Sequence, residues 1–469
     1  MARHPFSAVN LISDPIHGYL ELTKRLAPDE AAAAGLGPED VAEDDLLDTA
    51  WLQRLRRISQ LQSARWVFPT AEHSRFTHGL GVMHEAGLWA RSLYPSLRTA
   101  LGGLEPGAAI PSEGLVVETL RVAGLLHDVG HGPFAHFFDD HVLAGFRAPA
   151  DPRRPAGKAL GHEDLSQLII ERELGPLIGR LRRAPGAVPE RDAFASGEAI
   201  DPRWVSFLVS KPALVDPSMP AWVRVLQPLL SGVFTVDNLD YVRRDAFFTG
   251  VRVGIDVERL RRYAYVSDRG LTLYEPGVPA LEGFLGARLL LHQQVYFHRT
   301  VRAIDLDLGE VFGPSIRALF GDASPADELA GYADLDEYAL LHQAARWARG
   351  EAVAPDGVTP EPGGGRVGRS VAEGWHGILL RRPRWRAEAE VRAAYEDGGF
   401  PTDEVGALGP ADAGHVAIDL AAVDARMGDA AAARLLVIEG RDGSILPLSR
   451  AIPRVPGWAL IARRYRRLA

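Results

Sequence analysis

Apolar residues recur at helical spacing over four stretches of the chain. The first runs from Leu46 to Gln62, with arginines on the opposite face, and the second from about Arg75 to Leu93. The third runs from Leu115 to Leu126, and the fourth from about Leu281 to Val301. These four predicted helices indicate a mainly α fold.

Short apolar runs bounded by turn residues predict a few strands as well. Near the N-terminus, the turn Asp14–Gly18 precedes a short strand, Tyr19–Leu22, and residues 271–276 read as another. Further strands are predicted toward the C-terminus, at His415–Leu420, Leu435–Ile438 and Ser444–Leu448. Arg441-Asp442-Gly443 lies between the last two and indicates a hairpin.

The distribution of these elements predicts two domains. A helical core is expected over residues 1–320, and a smaller α+β region over residues 321–469. A Pro/Gly-rich segment at 353–370 indicates a linker or long loop within the second region.

The apolar stretch from Leu125 to His136 carries three histidines and one aspartate within ten residues. Its His127-Asp128 pair offers an imidazole nitrogen and a carboxylate oxygen, a set suited to Mn, Fe, Ni or Zn, or shared with Mg. Gly130 and the following Gly132-Pro133 end the preceding helix. A single histidine here would read as a capped or core residue, but four polar groups in an apolar stretch indicate a metal site.

Three separate stretches carry residues that fit the same chemistry. Arg75 and His78 lie three residues apart on one helix face, so that the histidine can bind a metal while the arginine holds a phosphate oxygen. His162 begins a helix after a Pro-, Arg- and Ala-rich loop at 145–160, which suits a residue carried into an active site. Asp237 lies on a half-apolar helix, where an unpaired carboxylate is costly, so it can complete the ligand set.

Composition and charge narrow the possible functions. The 469 residues include 52 Lys+Arg and 61 Asp+Glu, and the net charge of -9 argues against a general nucleic-acid binder. There are no cysteines, which excludes disulfides, thiolate metal sites and cysteine nucleophiles. No apolar run approaches the ~20 residues of a membrane span, and Met1–Pro5 lacks the features of a signal peptide. We therefore expect a soluble, cytoplasmic protein without a membrane partner.

Several separated motifs together resemble the HD phosphohydrolase superfamily. They are Asp14-Pro15-Ile16-His17-Gly18, Gln53-Arg54-Leu55-Arg56, Arg75-x-x-His78, the His127–His136 stretch, Asp237 and Asp240-Tyr241. Within the superfamily, the chain is similar to the deoxynucleoside triphosphate (dNTP) triphosphohydrolases, and the nearest branch is that of the sterile-alpha-motif and HD-domain enzyme. The resemblance covers roughly residues 7–310. It implies an HD-domain helical core and conversion of a dNTP to deoxynucleoside and triphosphate.

The resemblance also implies a role for each matching position. The metal ligands are His78, His127, Asp128 and Asp237. The residues around the α-phosphate and the attacking water are His131, His136, Asp139 and His162. We expect one of these three histidines to protonate the departing 5′-oxygen, and favour His136 because Asp139 lies one helical turn further on. The substrate contacts are Arg75 to phosphate, Gln60 to the sugar 3′-hydroxyl, and Tyr241, Asp245 and Tyr296 around the nucleoside.

In this family a nucleotide activator, GTP or a dNTP, binds at a subunit contact, so a homo-oligomer (dimer or tetramer) is implied. The matching activator positions are Asp48, Arg56, Arg259, His298 and Arg299. Asn238 departs from the family pattern, which has a basic phosphate contact there, and Asn10 replaces another basic residue. Two alternatives stay open. One is an HD-type phosphohydrolase acting on a nucleoside monophosphate, a cyclic nucleotide or an alarmone, and the other is a nucleotide-sensing scaffold with little turnover.

Overall fold

The computed structural model describes residues 8–33, 35–151, 157–186, 189–210, 216–396, 398–412 and 414–468. Met1–Pro5 and part of the predicted loop at 145–160 lie outside these residues. The main helices are α1 Arg75–Leu104, α2 Glu113–Leu126, α3 His136–His141, α4 His162–Leu168, α5 Pro202–Val209, α6 Val236–Thr249, α7 Val278–Leu291, α8 Arg299–Phe320, α9 Glu337–Ala348 and α10 Arg369–Leu379. The strands are β1 Val9–Asp14, β2 Gly18–Thr23, β3 Ala264–Ser267, β4 Gly270–Tyr274, β5 Trp385–Tyr395, β6 Val416–Asp424, β7 Val437–Glu439, β8 Ile445–Leu446 and β9 Trp458–Arg467.

Helices α1 and α2 form the centre of the helical core. Every residue of α2 from Gly114 to Leu126 is buried. The two helices approach closely because glycines face the partner's backbone. A Cβ added at Gly124 would lie 2.9 Å from the Val82 carbonyl oxygen, and one at Gly79 would lie 3.2 Å from that of Leu125. This close packing places the start of α1 beside the end of α2.

Two of the four predicted helices are continuous, and two are broken. Helices α1 and α2 confirm the periodic runs, whereas the single helix predicted over 46–62 is wrong. That stretch forms short helices, Glu43–Leu47 and Ala50–Arg54, followed by a 3-10 turn over Leu55–Arg57, and it leaves helical geometry at Ile58. Residues 58–60 instead pair with residues 73–75, since Gln60 donates to the His73 carbonyl and Arg75 donates to that of Ile58. The run 281–301 is likewise divided into α7, a π-helical turn over 292–296, and α8.

Three small sheets flank the helices. Strands β1 and β2 form an antiparallel hairpin, and the turn between them is held by Asp14, whose carboxylate accepts the backbone N–H of Ile16 and His17 at 2.9 Å. The second sheet has the order β3-β4-β7-β8, with β4 and β7 parallel, and the third has the antiparallel order β5-β9-β6. The antiparallel pair β7–β8 confirms the hairpin predicted at Arg441–Gly443.

The fold is mainly α, with a smaller α+β C-terminal region, as the sequence predicted. One continuous apolar core extends from Leu20 to Val455, so the helical part and the C-terminal region share it. The division near residue 320 stays a prediction. Within the part of the chain that is described, no helix is both long and apolar enough to cross a membrane.

A buried carboxylate in α2 makes the stability of the fold depend on pH. Glu118 is fully buried, and Arg121 pairs with Glu43 at 2.7 Å but lies 3.7 Å from Glu118. Burial, followed by the neighbouring charge of Glu43, raises the pKa of Glu118 well above its ordinary value of 4.5. The stability contributed by the protonated acid is complete below pH 4.5 and is lost as pH rises through the raised pKa.

Glu118→Gln keeps the shape of the side chain but cannot ionise. We therefore expect the free energy of unfolding of this variant, relative to the parent, to increase as pH rises above 4.5. Urea unfolding of both proteins across this range measures the difference. A difference that stays constant with pH would contradict the assignment.

Candidate active site

Four side chains converge where helix α1, helix α6 and the turn that follows α2 meet. His78 Nε2 lies 3.1 Å from Asp237 Oδ1, while His127 Nε2 lies 3.7 Å from the same oxygen and 3.3 Å from Asp128 Oδ1. Among the described residues, the buried His127 Nε2 has no hydrogen-bond partner. Two imidazole nitrogens and two carboxylates facing one another are a donor set that fits a divalent cation. The structure thus brings together the four predicted metal ligands.

The electrostatics of this pocket favour positive charge. Burial alone would lower the pKa of His78, but its hydrogen bonds to Asp237 and Asp240 raise that pKa to about 10. Burial would raise the pKa of Asp237, but the neighbouring imidazoles of His127 and His78 hold it below its ordinary range. Since metal ligands must release their protons, a cation would replace a proton in this pocket.

The ring of His78 is held from behind by Asp240, a fully buried carboxylate. Asp240 Oδ2 lies 2.8 Å from His78 Nδ1, and Asp240 Oδ1 lies 2.6 Å from His17 Nε2. Arg244 donates to both oxygens, at 2.8 and 2.9 Å. A Cβ at Gly81 would collide with the Asp240 carboxylate, so this approach requires a glycine. Asp240 therefore fixes the orientation of the His78 ring and leaves Nε2 facing Asp237.

We expect Asp240→Asn to lower metal affinity about 10- to 100-fold, the range typical for partners of metal-ligating histidines. The amide cannot accept from His78, His17 and Arg244 as the carboxylate does. Competition with a chelator measures the affinity. Asp201→Asn is the matched control, because Asp201 caps the N-terminus of α5 by accepting from Arg203 N–H, a role that asparagine also fills. Equal affinities in the parent and in Asp240→Asn would contradict this role.

Arg75, the predicted phosphate contact, lies at the edge of the pocket. Its Nη1 donates to Asp128 Oδ2, and the side chain is 4% exposed. Within the described part of the chain, its buried Nε has no partner, so one N–H remains for a ligand. The guanidinium can therefore bind an anion beside the metal ligands.

A second cluster of three histidines and one aspartate lies next to the first. The ligand atoms of His131, His136, Asp139 and His162 all lie within 4.8 Å of one another. Asp139 Oδ2 is 2.5 Å from His162 Nδ1 and 3.3 Å from His136 Nδ1, so one carboxylate holds both rings. His131 stacks on His162 with ring centroids 3.7 Å apart, and its Nε2 lies 3.3 Å from Asp128 Oδ1. The two clusters therefore form one continuous site.

The residues of the second cluster differ in their charge state. Burial, followed by the neighbouring charge of Arg75, lowers the pKa of His131 well below its ordinary value, which keeps this ring neutral. Burial would raise the pKa of Asp139, but hydrogen bonds from His136 and His162 lower it, so this carboxylate stays charged. His136 and His162 are thus the two histidines that the charged Asp139 orients.

The residues predicted to contact the nucleoside lie on helix α6 (Tyr241 and Asp245), at the end of the π-helical turn after α7 (Tyr296) and on the strand-like segment 58–60 (Gln60). Tyr296 donates its hydroxyl to Asp245 Oδ2 at 2.6 Å, and its ring meets that of Tyr241 edge-on at 6.4 Å. His73 holds the other Asp245 oxygen, with Nε2 at 2.8 Å. The buried Gln60 Oε1 has no partner among the residues that the structure describes. Gln60 therefore offers a free acceptor.

Three residues near the site were missed by the sequence analysis as functional positions: His17, His73 and Asp240. His17 and Asp240 lie within motifs quoted for the resemblance, but they contact each other across 223 residues. His73 contacts Asp245 across 172 residues. The local periodicity of the sequence carries no information about contacts between residues so far apart along the chain.

The five predicted activator positions lie in several places on this chain. Arg56 is exposed over the Phe76 ring at 3.6 Å and lines a cavity of about 420 Å³. His298 and Arg299 line a different cavity of about 730 Å³. Asp48 follows the short helix Glu43–Leu47, and Arg259 donates to the Pro276 carbonyl. This arrangement does not favour an activator site built from all five residues within one subunit. The activator site at a subunit contact therefore stays a prediction.

Comparison with known proteins gives two matching family models. Residues 75–185 match the HD domain, which contains His78, His127 and Asp128, and residues 255–351 match an HD associated region. The deoxynucleoside triphosphate triphosphohydrolase SAMHD1 of Homo sapiens is 28% identical over 312 residues, which cover 65% of this chain and 44% of that protein. The chain therefore spans less than half the length of this relative.

Two further proteins extend the likeness to bacteria. The uncharacterized protein YwfO of Bacillus subtilis is 27% identical over 357 residues, which cover 73% of this chain and 67% of that protein. A hypothetical protein from Aquifex aeolicus, solved at 2.0 Å resolution, superposes with a TM-score of 0.64 at 22% identity, covering 98% of this chain and 96% of that one. The last likeness establishes a shared fold and nothing about function.

Proposed function

Because this chain belongs to the HD phosphohydrolase superfamily, we propose that it is a metal-dependent dNTP triphosphohydrolase. The proposed reaction is dNTP plus water to deoxynucleoside and triphosphate. The observation that carries the proposal is the convergence of His78, His127, Asp128 and Asp237 beside Arg75 and a second histidine cluster. The named activity of SAMHD1 supports the substrate class.

The residues of the site have different roles in phosphoester hydrolysis. A divalent ion, Mn, Mg, Fe, Ni or Zn, supplies polarisation of a phosphoryl oxygen and a more acidic water. The spare Nε–H of Arg75 binds phosphate and stabilises the charge that develops on it. Asp139 orients His136 and His162 toward the reacting group.

His136 is the proposed acid for the departing 5′-oxygen. Its side chain is 64% exposed, so solvent can return the proton after each turnover. An oriented imidazole suits this task because histidine titrates near working pH. His162 is the alternative donor, since it makes the shorter contact with the same Asp139 carboxylate.

The nucleoside is proposed to lie between Gln60 and the paired tyrosines. The free Oε1 of Gln60 accepts from the sugar 3′-hydroxyl, and Tyr241 and Tyr296 present ring faces and edges to the base. Asp245, with both oxygens occupied by His73 and Tyr296, holds the Tyr296 ring in place.

Activation by GTP or a dNTP in a dimer or tetramer is proposed as a separate property. It is supported by the exposed Arg56 and by the cavity that His298 and Arg299 line. Gel filtration with and without GTP tests the assembly. The same mixtures, assayed for turnover, test the activation.

Product analysis of the purified protein tests the function. Each of the four dNTPs is incubated with Mn or Mg, with and without GTP, and the products are separated. Triphosphate plus deoxynucleoside supports the proposal. Turnover of a nucleoside monophosphate, a cyclic nucleotide or an alarmone instead would show that the site acts on another phosphoester. Binding without turnover of any of these would indicate a nucleotide-sensing scaffold.

A further inference from the structure

The loop that connects α2 to α3 contains two consecutive residues in strained geometry. Phe134 has φ +59° and Ala135 has φ +47°, although neither is glycine. Left-handed backbone costs free energy in residues with a Cβ and persists only when surrounding structure enforces it. This loop carries His131 and leads directly into His136, so the strain lies within the second histidine cluster.

Three side chains from outside the loop bind its main chain. The Tyr332 hydroxyl donates to the Gly130 carbonyl at 2.8 Å, and Arg54 Nη1 donates to the His131 carbonyl at 2.7 Å. The N–H of Phe134 donates to Glu337 Oε2 at 3.3 Å. These contacts involve three of the five residues from Gly130 to Phe134.

The three side chains are themselves buried, and two of them, Arg54 and Tyr332, are in contact. Arg54 donates through Nε and Nη2 to the Leu335 carbonyl, and its guanidinium lies 4.6 Å from the centre of the Tyr332 ring. Glu337 also accepts the N–H of Ser59 at 3.2 Å, next to the proposed sugar contact Gln60. Tyr332, Arg54 and Glu337 each have less than 1% exposure.

We propose that Tyr332, Arg54 and Glu337 form a clamp that positions His131 and His136 for the reaction. Tyr332 and Glu337 lie in the HD associated region, at residues 255–351, so this region supplies part of the active-site framework. The three are positioning residues, since they act on the backbone of the loop. The expected effect on turnover rests on the proposed function, whereas the effect on the loop does not.

Tyr332→Phe removes one hydroxyl and keeps the ring packing, which makes it the cleanest test. Tyr94→Phe is the matched control, because the Tyr94 hydroxyl donates to the Pro111 carbonyl at 2.7 Å in another part of the core. In Tyr332→Phe we expect faster amide hydrogen exchange over residues 130–136, with bound metal unchanged. We also expect kcat to fall about 10- to 100-fold with KM unchanged, as for misplaced catalytic groups. Tyr94→Phe is expected to match the parent in all of these.

The outcomes separate the two proposals. Parent-like exchange over residues 130–136 in Tyr332→Phe would overturn the clamp, whatever the activity. Loss of bound metal together with faster exchange throughout the protein would also overturn it, because the effect would then be general destabilisation. Faster exchange confined to the loop supports the clamp even if no dNTP is hydrolysed by any of the proteins, and that result would overturn the proposed function alone.

Discussion

Replacing His127 with alanine is expected to remove bound metal and dNTP turnover together. His127 Nε2 is buried, faces Asp128 and Asp237, and has no other partner in the described ranges of the chain. Loss of this nitrogen leaves two carboxylates and one imidazole to hold the ion. The loss of affinity should exceed the about 10- to 100-fold typical for residues that only support a ligand.

Metal analysis of the purified variant, alongside the product assay, measures both effects. His376→Ala serves as the control, because His376 is an exposed histidine on helix α10. The control should retain metal and turnover. Full turnover in His127→Ala would show that the metal site is not needed for the reaction. Loss of turnover with the metal retained would show that His127 is not a metal ligand and serves the reaction in another way.

The second large effect is expected at His136. His136→Ala should lower kcat by about 10²- to 10⁴-fold, the usual contribution of a general acid or base, while the metal content stays that of the parent. The metal stays because His136 lies in the second cluster, and the metal ligands keep all their contacts. Steady-state kinetics and metal analysis on the same preparation check both parts.

Chemical rescue distinguishes proton transfer from a structural role. The His136 side chain is 64% exposed, so the alanine variant leaves a space that solutes can enter. Added imidazole should restore part of the activity of His136→Ala and should leave the parent unchanged. His162→Ala is the comparison: if that variant is rescued and His136→Ala is not, the acid is His162.

The sequence alone determined the elements whose cause is local. The apolar patterns of α1 and α2 and the glycines at the end of α2 depend on residues a few positions apart. The structure has both helices, and α1 continues beyond the predicted Leu93 to Leu104. The same holds for Arg75 and His78, which share one face of α1 because they are three residues apart. The grouping of His127, Asp128, His131 and His136 was visible because all four lie in one stretch.

The helix predicted over 46–62 shows where local reasoning stops. Its periodicity is helical, but residues 58–60 leave the helix to pair with residues 73–75. This pairing brings Gln60 and His73 to the site. Tertiary hydrogen bonds outweighed the local preference, because helical propensity differs little from residue to residue.

Only the tertiary structure decided which distant groups support the site. Asp240 meets His78 across 162 residues, and Arg54 meets Leu335 across 281. Such contacts depend on how the helices pack and on glycines such as Gly81 that permit close approach. The sequence by itself thus determined which metal-ligating residue types are present and how they are spaced locally, because each group lies within one short stretch of the chain. The orientation of His78 and the restraint of the strained loop were decided by the fold, because each depends on buried side chains that only packing brings together.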